Sequence, residues 1–70
     1  MKQIIRKYVA KGFTVSVVQY SDGGKNEYHV EHNFPGVPGS DWYEEYEKAK
    51  AIAQAQFIAG WINRQKGVRA

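Results

Sequence analysis

Apolar and polar residues alternate most clearly between Phe13 and Tyr20. Phe13, Val15 and Val17 fall on one parity, and Thr14 and Ser16 on the other. That period predicts a strand over 13–20 with one face turned to a core. Upstream, Ile4, Ile5, Tyr8 and Val9 are good β-formers and predict a strand over 3–10. Downstream, Tyr28, Val30 and Phe34 belong to a third strand over 25–34. Ser21-Asp22-Gly23-Gly24 lies between the second and third, and Asp-Gly is a strong two-residue hairpin signal. With Asp22-Gly23 as the turn, Val17 faces Tyr28, Val15 faces Val30 and Phe13 faces His32. Ser16 then faces His29 and Thr14 faces Glu31, so one face is apolar and the other polar.

The first strand has apolar residues on both parities. A tight turn at Lys11-Gly12 sets Tyr8 opposite Val15 and turns Ile4 inward, together with Arg6. A one-residue bulge at Gly12 turns Ile5 and Val9 inward instead. Both registers stay open.

After Phe34 the period changes. Residues 35–40, Pro-Gly-Val-Pro-Gly-Ser, form a connection without regular structure. Residues 41–66 predict one long helix, with Asp41 as N-cap, Glu44 completing a capping box, and Gly67 as the residue that ends it. Acids at the start and Arg64 and Lys66 at the end suit the macrodipole. At 100° per residue, Trp42, Tyr46, Ala49, Ala53, Phe57 and Gly60 share one face, with Tyr43 and Trp61 on its shoulder. This face is expected to lie on the sheet. The expected core is Phe13, Val15, Val17, Tyr28, Val30, Phe34, Trp42, Tyr46, Ala53 and Phe57, so Phe57→Ala is expected to cost about 3–5 kcal/mol. A different face holds Ala51, Ile52, Ala55, Ile58, Ala59 and Ile62. One helix on one small sheet hides one stripe. Either Ile52 and Ile62 wrap round the sheet edge or are simply exposed, or Ile52, Ala55, Ile58, Ala59 and Ile62 meet a partner protein or a second copy. The fold class is thus α+β: a three-stranded antiparallel meander followed by one helix across one face.

Seventy residues make a single domain, 1–70. A chain of this size buries only about 60% of its unfolded surface. Cysteine is absent, so disulfides and thiolate metal sites cannot reinforce it, whereas ten aromatics bring large apolar area. Met1–Ala10 is charged and unlike a signal peptide, and no apolar run approaches a membrane span. A soluble, cytoplasmic protein is expected.

Charge is segregated. Lys2, Arg6, Lys7, Lys11 and Lys25 face a single acid, Asp22, in the first 25 residues. Residues 26–47 hold six acids and no lysine or arginine, and residues 48–70 hold Lys48, Lys50, Arg64, Lys66 and Arg69 and no acid. Such fields steer binding, although solvated charge with a helix-dipole bias gives the same pattern.

Chemistry is sparse. His29 and His32, three apart on a strand, point to opposite faces and cannot share a metal. His29 beside Glu27 or Glu31 is the nearest acid–base pair, but an open sheet face excludes no water, so no enzymatic activity and no small-molecule substrate are expected. Residues 35–40 lack the lysine and spacing of a phosphate loop, and the acids after them repel anions. No cofactor is expected.

The element order over Ile4–Trp61 resembles the arm-binding domains of tyrosine recombinases, which implies a sheet face entering a DNA groove. The exposed face here would carry Thr14, Ser16, Val18, Tyr20, Lys25, Glu27, His29 and Glu31, and its glutamates oppose phosphate. A nucleic-acid reading therefore rests on Lys2, Arg6, Lys7, Lys11, Arg64, Lys66 and Arg69. In size, lack of cysteine, aromatic richness and the hairpin FTVSVVQYSDGGKNEYHV leading to one helix, the chain also resembles small phage-encoded host inhibitors, the anti-CRISPR proteins among them. That resemblance implies a stoichiometric protein-binding module rather than a catalyst.

Overall fold

A computed structural model describes residues 1–37 and 39–68. The chain forms strands β1 (Lys2–Ala10), β2 (Phe13–Asp22), β3 (Lys25–His32) and β4 (Ser40–Tyr43). A 3-10 turn at Glu45–Glu47 then leads into helix α1 (Lys48–Arg64). The sheet is an antiparallel meander in the order β1-β2-β3-β4, with α1 on one face. The α+β class and the single C-terminal helix agree with the sequence reading. The strand count does not, since the described residues form four rather than three.

The fourth strand comes from residues assigned to the helix. Ser40–Tyr43 pairs with β3, setting Tyr43 opposite Tyr28, Trp42 opposite His29 and Asp41 opposite Val30. Trp42 and Tyr43 are strong β-formers, and here they cover what would otherwise be the open edge of β3. Asp41 is therefore a strand residue, not an N-cap. The capping interaction appears one turn later, where the Glu44 backbone N–H donates to Glu47 Oε1 at 3.0 Å. At the other end α1 stops at Arg64. The Gln65 N–H bonds the Ile62 carbonyl, and Gly67 adopts the left-handed φ of 72° expected of the residue that ends the turn.

Both hairpins are tight. Ala10 pairs with Phe13 across Lys11-Gly12, which settles the first strand in favour of the two-residue turn. The conflict over Arg6 is resolved by a register shift between Ile4 and Arg6. Ile5 packs on the core, while Ile4 and Arg6 stay exposed. In the second hairpin the turn is Gly23-Gly24, not Asp22-Gly23, and Asp22 pairs with Lys25. Both turn residues need positive φ (58° and 85°), which two glycines adopt without a Cβ penalty and aspartate does not. Val17 consequently faces Val30 and Val15 faces His32. The slip is two residues, so every side chain keeps the face it was expected to occupy.

The largest departure concerns α1. Ala51, Ala55, Ala59 and Ile62 are buried against Phe13, Val15, Val17, Tyr28 and Val30, with Ile52 and Ile58 packed at the margin. The face expected to bind a partner is the one seated on the sheet. The face expected to lie on the sheet points away: Phe57 is 63% exposed, Tyr46 83% and Trp42 52%, and Ala53 is exposed too. The reason lies in where the helix begins. With 41–43 in a strand, Trp42 no longer belongs to the helix, and Tyr46 sits in the 3-10 turn. Between Lys48 and Arg64 the outward side keeps Phe57 as its one large exposed apolar residue, and the richer apolar stripe wins the core. That stripe is small enough to let α1 approach a sheet already filled by valines and aromatics.

Candidate protein-binding surface

The outward side of α1 and the loop joining β3 to β4 enclose an apolar groove of about 320 Å³. Phe34, Val37, Phe57, Ile58 and Trp61 line it, with His32, Asp41 and Gln54 at its margins. Its floor is held by aromatic packing. The Phe34 ring meets Phe13 edge to face at 4.8 Å and Trp61 at 5.3 Å. Such pairs add to plain burial and fix ring orientation. The loop is closed by His32 N–H donating to the Gly39 carbonyl at 3.1 Å. The Phe34 N–H donates to His32 Nδ1 at 3.2 Å, which also ends the strand just before Pro35, a residue without an N–H. Gln54 Nε2 reaches Asp41 Oδ2 at 3.4 Å across the groove mouth. The groove can seat an apolar side chain. Among its lining residues there is no serine, threonine, cysteine or lysine to act as a nucleophile beside His32 or Asp41.

Of the residues that line this groove, the one with a full charge is Asp41, whereas the charge on α1 itself is basic. Lys48, Lys50 and Arg64 are exposed and α1 contains no acid, although Lys50 bonds Glu47 Oε2 at 3.1 Å. The backbone N–H of Glu44, followed by Lys50, holds the Glu47 carboxyl below its usual value. Tyr43, desolvated under the helix entry and near Asp41 and Glu47, has its phenol pushed up.

The opposite sheet face carries Thr14, Ser16, Val18, Tyr20, Glu27, His29 and Glu31, as expected from their parity. β4 adds Trp42, whose indole N–H donates to Glu27 Oε2 at 2.9 Å. That bond, and secondarily His29, pulls the Glu27 carboxyl below its usual value. His29 stacks tilted on Tyr20 at 4.4 Å, and its Nε2, shielded from water, lies 3.5 Å from Glu27 Oε2. Tyr20 Oη donates to Glu31 Oε2 at 2.9 Å, and Lys2 Nζ stands 5.7 Å over the Tyr20 ring. Val18 is 1% exposed although no helix covers it, because it lies between its cross-strand neighbours Ile4 and His29. His32 sits opposite Val15 on the helix side, so the two histidines face apart. Among the described residues no three potential ligands gather into a metal site.

Of the interface residues read from the sequence, Ala55, Ala59 and Ile62 are buried, and Ile52 and Ile58 are half-buried against the core. They form the underside of α1 rather than a free surface, and only Ile58 reaches the groove. Of the basic residues, Lys2, Arg6 and Lys7 are exposed along β1, and Arg64 and Lys66 at the helix end. Lys11 Nζ donates to the Gln65 carbonyl, which brings the first turn to the end of α1. Arg69 lies outside the described residues. Sequence reasoning missed the groove itself. Val37 stands alone between two Pro-Gly steps, and no period marks it as a wall residue.

Among the described residues no helix is long and apolar enough to cross a membrane. Comparison with family models, with curated proteins and with solved structures finds no match for this chain.

Proposed function

We propose that this chain is a small non-enzymatic protein-binding module that acts by stoichiometric occupancy of its partner. Its docking surface is the outward side of α1 with the groove beside it. One observation supports this above the others: Phe57 stands 63% exposed on the wall of a preformed apolar groove whose aromatic floor is fixed. Large aromatics left in water beside a pocket are the usual anchors of protein interfaces. The partner it suits presents an apolar or aromatic side chain to the groove and a carboxylate to Arg64, which follows Phe57 by seven residues on the same side of α1. Stoichiometric binding is what the likeness to small phage-encoded inhibitors implies.

A displayed random-peptide library tests the reading. Peptides enriched on the wild type should carry an aromatic or branched apolar residue flanked by acids. They should lose binding to a Phe57→Asp variant that keeps its circular dichroism and melting temperature. Absence of enrichment, or equal binding to the variant, would remove the proposal.

A second reading, nucleic-acid binding, is favoured by the Lys11–Gln65 bond, which brings the basic C-terminal turn beside the basic first strand. Anisotropy with a duplex probe at about 50 mM and about 500 mM salt decides it, since phosphate contacts weaken steeply with salt. A flat or absent response discards it.

A further inference from the structure

The sheet has two free edges of opposite charge. β1, at one end of the strand order, carries Lys2, Arg6 and Lys7, all exposed, and no acid. β4, at the other end, carries Asp41 and runs directly into Glu44 and Glu45, all exposed. A free edge strand presents a row of unpaired main-chain groups and is a template for another strand. We infer that β1 and β4 are complementary edges that join copies of this chain head to tail into one continuous sheet.

Three edge pairings are conceivable between copies, and charge separates them. β1 on β1 sets Arg6 and Lys7 against their own kind. β4 on β4 does the same for Asp41, Glu44 and Glu45. Only β1 on β4 brings opposite signs together, and like charges across strands destabilise. Direction agrees as well. Because the meander has an even number of strands, β1 and β4 run antiparallel. A copy displaced along the sheet without inversion therefore offers its β1 antiparallel to the neighbour's β4, with both helices on the same side. Four strands span about 19 Å and a helix about 10–12 Å, so neighbouring helices clear each other.

Length agrees too. β1 is irregular in its first half, where the register shifts and Arg6 Nη1 takes the Ile5 carbonyl at 2.8 Å. The regular part, 6–10, is five residues long, enough to pair with the four of β4. On the face away from the helix, Lys7 and Val9 lie on β1 and Trp42 on β4. Val9 is 65% exposed and Trp42 52%. In the joined sheet these side chains are cross-strand neighbours, and the indole gains an apolar or cationic partner. The contact is heterologous and does not close on itself as a two-fold dimer does. It shares only Asp41 with the margin of the α1 groove, and the β1 charge reversal leaves that groove untouched, so either surface can fail its test without the other.

Sedimentation velocity across a wide range of protein concentration, at about 50 mM and about 500 mM salt, tests the inference. At low salt the mass should climb past the dimer as concentration rises, and it should fall back at high salt. Arg6→Glu/Lys7→Glu makes both edges acidic, and Asp41→Lys/Glu45→Lys makes both edges basic. Each variant alone should stay monomeric, and an equal mixture should regain the larger species. Amide exchange on the wild type gives a second readout that needs no variant: protection at 6–10 and 40–43 should grow with concentration. A wild type that stays monomeric, mass that stops at the dimer, a series untouched by both charge reversals, or protection confined to other segments would each overturn the inference.

Discussion

Gly24 holds a φ of 85° with nothing within 4 Å of the position a Cβ would occupy. Its replacement by alanine is a pure backbone test. Gly24→Ala should lower stability by about 1–2 kcal/mol without disturbing any packing. In a domain of this size that is a fall of roughly 4–16 °C in Tm, read by thermal circular dichroism. Burial separates two residues of α1 in the same way. Ile62 is fully buried, so Ile62→Ala should cost about 2–5 kcal/mol in denaturant unfolding. Phe57 is mostly in water, and Phe57→Ala should cost under about 1 kcal/mol, not the loss expected of a core aromatic. At this scale the sheet residues were readable. Phe13, Val15, Val17, Tyr28 and Val30 are all buried, because a period of two assigns a face without knowing the partner strand.

At the scale of elements, the hairpins were legible and the helix start was not. Turn chemistry located both hairpins to within two residues, and a slip of two leaves faces unchanged. β4 was hidden because four residues carry no period, and because Asp41 followed by Glu44 imitates a cap. Its misplacement moved Trp42 and Tyr46 onto the helix and so exchanged the helix faces. The groove was hidden for the same reason, since one wall depends on a loop that β4 holds in place. The pairing of β4 can be checked through its indole. Trp42→Phe removes the donor that most strongly depresses Glu27, so the Glu27 pKa should rise toward its usual 4.5 in a carboxyl-detected NMR titration. An unchanged titration would mean that β4 does not hold Trp42 over β3.

For the whole molecule, the two depressed carboxyls set a direction for acid sensitivity. Glu27 and Glu47 titrate lower in the folded chain than the usual 4.5, so the unfolded chain binds their protons first as pH falls. The stabilisation they give is complete above about pH 5 and is lost as pH drops through their folded values. Tm should therefore decline as pH falls below about 5, and Glu27→Gln/Glu47→Gln should flatten that decline. An equally steep fall in the double variant would assign acid unfolding to other carboxyls. Segregated charge was plain in the sequence as three blocks. That the first block would sit on one sheet edge and the second begin at the other could not be read until β4 had a place.

Ala51, Ala55 and Ala59, the small residues on which α1 rests, also shape how the chain tolerates change. In a library that replaces every position in turn and selects for folded protein, the familiar ranking would run backwards along α1. These three small side chains would be among the intolerant ones, because any enlargement there lifts the helix and overpacks the sheet by about 1–3 kcal/mol or more. The most conspicuous side chain of α1, Phe57, would accept nearly any residue. Variation could then rewrite the outward surface while the scaffold stays constant, leaving specificity free to drift without loss of the fold.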